Sequence, residues 1–299
     1  MRFGPTTALD ALTVSVEPGV IGLVGANGAG KSTLIKVLLG LLPATEGTAQ
    51  VLGLDAAGDS EAIRQQVGYM PEHDCLPADT TATEFVVHMA RMSGLPMTAA
   101  RERTADVLRH VGLYEERYRA VGGYSTGMRQ RVKLAQALVH DPDLVLLDEP
   151  TNGLDPAGRD EMLGLIRKVG TDFGISVLVT SHLLGELERI CDHVVVIEGG
   201  RLLRSSSTAD VTAVSGVLLV EVDDRADALA SALAQVGVAA RLSGRMLEVA
   251  LSGEQTYDAI RDATANLGLG LVRMERRRHR MVELFEQPVT SRHAQGGRQ

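Results

Sequence analysis

Three features of the 299-residue sequence predict an α/β domain with a largely parallel sheet, followed by a small α+β domain. From residue 1 to about 205, short apolar runs alternate with helical stretches, the pattern of strands joined by helical crossovers. A glycine-rich run from Gly25 to Ser32 falls between one such strand and one such helix, where a fold of this kind can cradle phosphate. Beyond about residue 215 the order becomes strand, helix, strand, strand, helix, strand, a split βαβ arrangement of the ferredoxin-like kind. The expected boundaries are therefore 1–208 for the first domain and 215–287 for the second, with a polar, disordered tail over 288–299.

Taken in order, Val20–Val24 reads as a strand, and the helix after it should run from Lys31 to Leu41, stopped near Gly40 and Pro43. A mostly helical insert begins near Thr80 and runs to about Ala120, and the helical subdomain as a whole reaches about residue 140. Its first helix is announced by Thr81 and Glu84, spaced as a capping box. A helix from Thr126 to Val139 leads into Leu144–Leu147, a run apolar enough for a buried parallel strand, which ends on Asp148 and Glu149. Strands at Ile175–Thr180 and His193–Ile197 bracket a helix over Leu183–Ile190, and Glu198–Arg201 reads as a tight turn between strands. In the second domain, strands are expected at Val217–Val222, near Ala239, at Met246–Leu251 and at Leu269–Arg273, with helices around Ala226–Val236 and Tyr257–Leu267. A short closing helix falls at Val282–Phe285.

Composition limits the function classes. Hydrophobic residues make up 44% and charged residues 23%, ordinary values for a globular protein. No apolar run is long enough for a membrane span and the N-terminus has no secretory pattern, so a cytoplasmic protein is expected. Cys75 and Cys191 lack metal-ligand spacing and read as reduced thiols, Cys75 as a small packing residue. A net charge of −8, 3% aromatic residues and no tryptophan argue against nucleic acid as a partner. The five arginines from Arg273 to Arg280 read first as a solvated face, with an anionic membrane surface as the other reading.

The chemistry concentrates in a few places. Gly25, Asn27, Gly28, Ala29, Gly30, Lys31, Ser32 and Thr33 form a phosphate loop and the start of its helix. Its backbone N–H groups can wrap phosphates, Lys31 can reach the β- and γ-phosphates, and Ser32 can offer its hydroxyl to Mg²⁺. ATP or GTP is the ligand this implies. Asp148 suits a hydrated Mg²⁺, and Glu149 is placed to polarise an attacking water.

With these motifs in order, followed by Asn152–Asp155 and by Thr180-Ser181-His182 at the end of another apolar run, residues 1–205 resemble the nucleotide-binding subunit of an ATP-binding cassette (ABC) transporter. The resemblance implies a P-loop ABC cassette with a mostly parallel sheet, an antiparallel edge sheet and a helical subdomain. It makes Glu149 the general base, His182 the switch histidine at the γ-phosphate, and Asp155 part of a loop that meets the opposite protomer. Tyr124–Arg131 stands at the family signature; Ser125 and Gly127 match it, while Thr126 and Met128 depart. By the family mechanism, Ser125 and Gly127 serve ATP held by a second copy, in a homodimer or with a paired cassette. Glu72 occupies a place where the family usually has glutamine, and a metal-dependent contact is expected of it. Phe3 is the only aromatic residue before the phosphate loop. The resemblance makes it the adenine-stacking residue; as a sequence feature it could equally be a buried hydrophobe at a chain end. Family members usually carry one more strand ahead of this point, so a shortened N-terminus is expected.

The second domain and Val282–Phe285 resemble the C-terminal extension of ABC-2 type exporter ATPases, including drug-resistance systems. The expectation is an ATPase using Mg²⁺, docked on the cytoplasmic face of the membrane through a separately encoded permease that exports a small molecule. The rival reading is a soluble ABC ATPase acting in translation, DNA repair or regulation. A single cassette without heptads or a Cys/His cluster weighs against it.

Overall fold

The computed structural model describes residues 1–208, 217–243, 246–251 and 253–276. The chain divides into two compact units, Met1–Thr208 and Ala209–Gln299, each with its own apolar core.

In the first unit β1 (Arg2–Phe3) and β2 (Thr6–Thr7) form a small antiparallel ribbon, and β4 (Gln50–Val51) and β5 (Leu54–Asp55) form another. The main sheet is built from β3 (Val20–Val24), β6 (Val67–Met70), β7 (Leu144–Leu147), β8 (Ser176–Ser181), β9 (His193–Glu198) and β10 (Arg201–Ser207). Its order is β10-β9-β3-β8-β7-β6, parallel throughout except where β10 turns back on β9. The antiparallel component expected at the sheet edge is thus spread over β10 and the two ribbons. Every residue of β3 is buried, as a central strand covered on both faces must be. Ile21, Leu23, Leu146, Leu178 and Val195 of the sheet pack with Ile35 and Ile63.

Register decides where chemistry can occur. Val24 pairs with Ser181 and Leu147 with Val179, so the carboxyl ends of β3, β7 and β8 share one edge. Gly25, Asp148 and His182 all leave from that edge, the side on which open α/β sheets bind ligands.

The helices of this unit are α1 (Lys31–Leu38), α2 (Ser60–Gln66), α3 (Ala82–Met92), α4 (Met97–His110), α5 (Thr126–Leu138), α6 (Pro156–Asp172) and α7 (Leu184–Leu187). The predicted capping box forms at α3: Glu84 N–H donates to Thr81 Oγ1 at 3.1 Å and Thr81 N–H to Glu84 Oε2 at 2.9 Å. Two helices are shorter than expected. α1 stops at Leu38 rather than Leu41. α7 is a single turn rather than Leu183–Ile190, because Gly185 weakens it and Glu186 is drawn to Thr151 and Arg159, at 3.1 and 3.3 Å. α2 and α6 were not marked in the sequence. For α6 the signal was present, Asp155 as N-cap with Pro156 at the first position.

In the second unit β11 (Val217–Val222), α8 (Ala226–Gln235), β12 (Ala240–Ser243), β13 (Met246–Ala250), α9 (Glu254–Leu267) and β14 (Leu271–Arg276) follow the predicted order. The sheet is antiparallel with order β12-β13-β11-β14, a split βαβ topology. Alternate residues of β11, Leu218, Val220 and Val222, pack against Leu229, Leu233 and Ile260 of the two helices. Of the arginine run, Arg273 pairs with Glu275 at 2.8 Å. Residues 277–299, with Arg277, Arg278, Arg280, the closing helix expected at Val282–Phe285 and the tail, lie outside the described residues.

Candidate active site

The phosphate loop leaves β3 at Gly25, whose N–H donates to Ser181 O at 3.3 Å across the sheet edge. Ala26, Asn27 and Gly28 form an exposed arch, Ala29 is buried, and Gly30 caps α1 with φ 104. A side chain at Gly30 would put its Cβ 2.6 Å from the carbonyl oxygen of Ala8, so that position is closed to other residues on two counts. No side chain caps α1, which leaves its first-turn N–H groups available to an anion, and Ser32 and Thr33 sit half-buried in that turn. Lys31 is buried, and its Nζ donates to Gly25 O at 2.7 Å, curling the loop over its own ammonium group.

The two acids stand opposite, both buried, with Asp148 at 2% and Glu149 at 5% exposure. Glu149 has φ 48, a conformation that costs a non-glycine residue about 1–3 kcal/mol and points its carboxylate back over the loop. Glu149 Oε1 lies 3.1 Å from Lys31 Nζ, and Glu149 Oε2 lies 3.0 Å from His182 Nδ1. Thr180 locks the pair from beneath: its hydroxyl donates to Asp148 Oδ1 at 2.8 Å and accepts the Glu149 N–H at 2.8 Å. Sequence reasoning named Thr180 within the run that ends on His182 but gave it no role. Its only signal was its place one residue beyond the apolar run of β8.

Glu72 lies in the segment after β6. Its carboxylate accepts from Asn152 Nδ2 at 3.4 Å, and its carbonyl oxygen accepts from the buried Lys133 Nζ at 2.9 Å. Nearby Tyr69 has its phenol pushed up to about 12, first by burial and then by Asp148, Cys75 and Glu72. Cys75, expected as a packing residue, is exposed. Among the described residues no three or more His, Cys, Asp or Glu side chains are grouped to hold a metal. What the site offers is the Ser32 hydroxyl and the carboxylate of Asp148, with Glu72 further out. That donor set fits Mg²⁺, which takes one or two carboxylates and completes its shell with phosphates and water.

Ser125, Thr126, Gly127 and Asp155 line a separate cavity of about 560 Å³. Ser125 caps α5 by accepting the Met128 N–H at 3.2 Å, and Asp155 caps α6 by accepting the Gly158 N–H at 3.0 Å. None of Lys31, Glu149 or His182 lines that cavity. The first unit therefore presents two separate groups, the Lys31–Glu149–His182 cluster and a pair of helix N-termini. Phe3 belongs to neither; it stands 45% exposed on the β1–β2 ribbon.

A family profile described as ABC transporter matches residues 9–152. The daunorubicin/doxorubicin resistance ATP-binding protein DrrA of Streptomyces peucetius is 36% identical over 79% of this chain and 73% of its own length. The Nod factor export ATP-binding protein I of Ralstonia nicotianae is 36% identical over 82% of this chain and 77% of its own. An uncharacterized ABC transporter ATP-binding protein of Bacillus subtilis, YxlF, is 40% identical, and the match covers 62% of this chain and 61% of YxlF. Among solved structures, the dimeric post-hydrolysis state of the ATP-binding cassette MJ0796 bound to ADP and Pi has the same fold, with a TM-score of 0.62, 22% identity and coverage of 68% of this chain and 91% of that one. The ATP-binding subunit of an ABC transporter, 30% identical with a TM-score of 0.59, covers 68% of this chain and 85% of that one. The chain belongs to the ABC transporter family, as one of its ATP-binding, ATP-hydrolysing subunits.

Proposed function

We propose that this subunit powers export of a small molecule: it binds Mg·ATP, closes on a second cassette and drives a separately encoded permease from the cytoplasmic face of the membrane. The carrying observation is the Lys31–Glu149–His182 cluster beside the phosphate loop, in which Lys31 and Glu149 are buried and His182 is exposed. Export is supported by relatives named for drug resistance and Nod factor export. No helix among the described residues is long and apolar enough to cross a membrane.

The chemistry follows from the cluster. The phosphate loop, Gly25 to Thr33, holds the triphosphate, and Phe3 stacks on the adenine. Lys31, tied to Glu149 here, exchanges the carboxylate for the β- and γ-phosphates when nucleotide enters. Glu149 Oε1 is then free to take a proton from water, whose oxygen attacks the γ-phosphorus while the bridging oxygen leaves with ADP. His182 orients the same carboxylate through Oε2 and faces the γ-phosphate. Ser32, Asp148 and Glu72 would hold Mg²⁺, which when bound offsets the negative charge of the phosphates. By the family mechanism, Ser125, Gly127 and Asp155, which line the separate cavity, serve nucleotide held by a partner copy, and hydrolysis then needs two cassettes.

E149Q tests this directly. The variant should still bind ATP, lose about a hundredfold or more in turnover, and accumulate closed dimers on size-exclusion chromatography in Mg·ATP. Wild-type turnover in E149Q would remove Glu149 from the reaction. Co-purification of a permease with the tagged subunit from membranes tests the transport half, and its absence there would favour a soluble role.

A further inference from the structure

One face of α5 lies along the segment that leaves β6. Gln136 Nε2 donates to Tyr69 O at 3.3 Å, Lys133 Nζ donates to Glu72 O at 2.9 Å, and Arg129 lies 3.3 Å from Asp74. Positions 129, 133 and 136 stand one helical turn apart, so they form a single stripe on the helix. The stripe follows the chain from 69 to 74 in the opposite direction. From the neighbouring position Gln130 Nε2 donates to Asn152 O at 3.2 Å, and Asn152 in turn donates to the Glu72 carboxylate. α5 therefore grips both loops that meet at Glu72.

Lys133 is the unexpected member. It is 2% exposed, and an ammonium group costs free energy to bury unless something nearby requires its charge. A methionine would fill similar space without that penalty. Burial draws its pKa down, and Cys75, then Asp74, Glu72 and Asp148, act against that by favouring the ammonium. The groups that favour its charge thus lie on the segment after β6 and at Asp148.

We propose that Lys133 is a positioning residue of the ATPase site. It fixes the backbone at Glu72, sets where that carboxylate stands, and balances its charge beside Asp148. Through this strut the place of Glu72 depends on α5, the helix whose N-terminus carries Ser125 and Gly127. The inference rests on the reading of Glu72 as a group on the metal side of bound ATP.

The experiment compares wild type, K133M, K133R, E72Q and the K133M/E72Q double variant for kcat, KM for ATP and Mg²⁺ half-saturation, with amide hydrogen exchange followed across the chain. K133M should lose about tenfold in kcat with KM for ATP within about twofold, since the phosphate loop is untouched, and should need more Mg²⁺. K133R should recover most of the loss. In the E72Q background the same K133M change should cost no more than about twofold. Exchange in residues 69–76 should quicken in K133M while β3 and α6 stay as in wild type. Three results would overturn the proposal: K133M kinetics like wild type, a full tenfold loss persisting with E72Q, or exchange accelerated throughout the unit. If K133M does not fold, K133R against K133Q decides: activity kept by arginine and lost by glutamine supports the strut, and equal activity overturns it. A wild-type protein without hydrolysis would instead sink the ATPase reading, and the exchange pattern would still decide whether Lys133 holds the segment.

Discussion

Thr180 shows how much of a site can depend on a residue with no chemistry of its own. Its single hydroxyl holds Asp148 through Oδ1 and the Glu149 backbone through its N–H, and Glu149 needs that hold because φ 48 is costly for it. Valine has nearly the same shape and cannot hydrogen-bond. Thr180→Val should therefore leave a buried N–H and a buried carboxylate oxygen short of a partner. That costs about 1–3 kcal/mol of stability, and kcat should fall while ATP binding by the loop is kept. Thermal unfolding and ATPase assays check this, and unchanged turnover would show that Glu149 keeps its place without help. Lys31, Ser32, Asp148 and Glu149 stood out in the sequence by motif and spacing, and His182 only through the family resemblance. Thr180 did not, because its closeness to both acids follows from the pairing of Leu147 with Val179, which is a tertiary fact.

At the scale of elements, the strand–loop–helix unit from Val20 to Leu38 does most of the positioning, and its glycines are unequal. Gly28 has φ 82, but a Cβ added there would meet nothing within 4 Å, whereas one added at Gly30, with φ 104, would meet a backbone oxygen at 2.6 Å. Gly28→Ala should carry only the backbone penalty, about 1–2 kcal/mol. Gly30→Ala adds a clash with the Ala8 backbone, which cannot yield as a flexible side chain would, so it should weaken nucleotide binding more and lower Tm further. Titration with ATP and thermal unfolding of both variants would rank them, and the reverse order would contradict the geometry. The same scale explains what sequence reading missed. α3 and α5 were visible because capping residues and an apolar stripe agree. α7 collapses to one turn because Glu186 takes partners on the loop after β7 and on α6, contacts that helical periodicity cannot foresee. The ribbons β1–β2 and β4–β5, with two residues in each strand, are too short for any alternation to register.

For the whole molecule, the decisive property is that every residue proposed to handle nucleotide, from Phe3 to His182, lies within Met1–Thr208. The first unit closes its own core around Ile35, Ile63 and the sheet, and the second closes another around Val220, Leu233 and Leu247. Separate cores make separate folding units the natural expectation. A fragment ending at Thr208 should therefore fold and bind ATP within about threefold of the full chain, since no half-site loses a residue. Failure to bind would mean that the second unit supports the phosphate loop after all. Dimerisation is a distinct question, because in the proposed mechanism each cassette lends its Ser125 and Gly127 to the other. Carrying E149Q into the same fragment isolates it. If the half-sites alone hold the pair together, ATP should drive the shortened variant into dimers at the same protein concentration as the full-length one. A clear rise in the concentration required would assign part of the dimer contact to the split βαβ unit, leaving the catalytic assignment of Lys31, Glu149 and His182 intact.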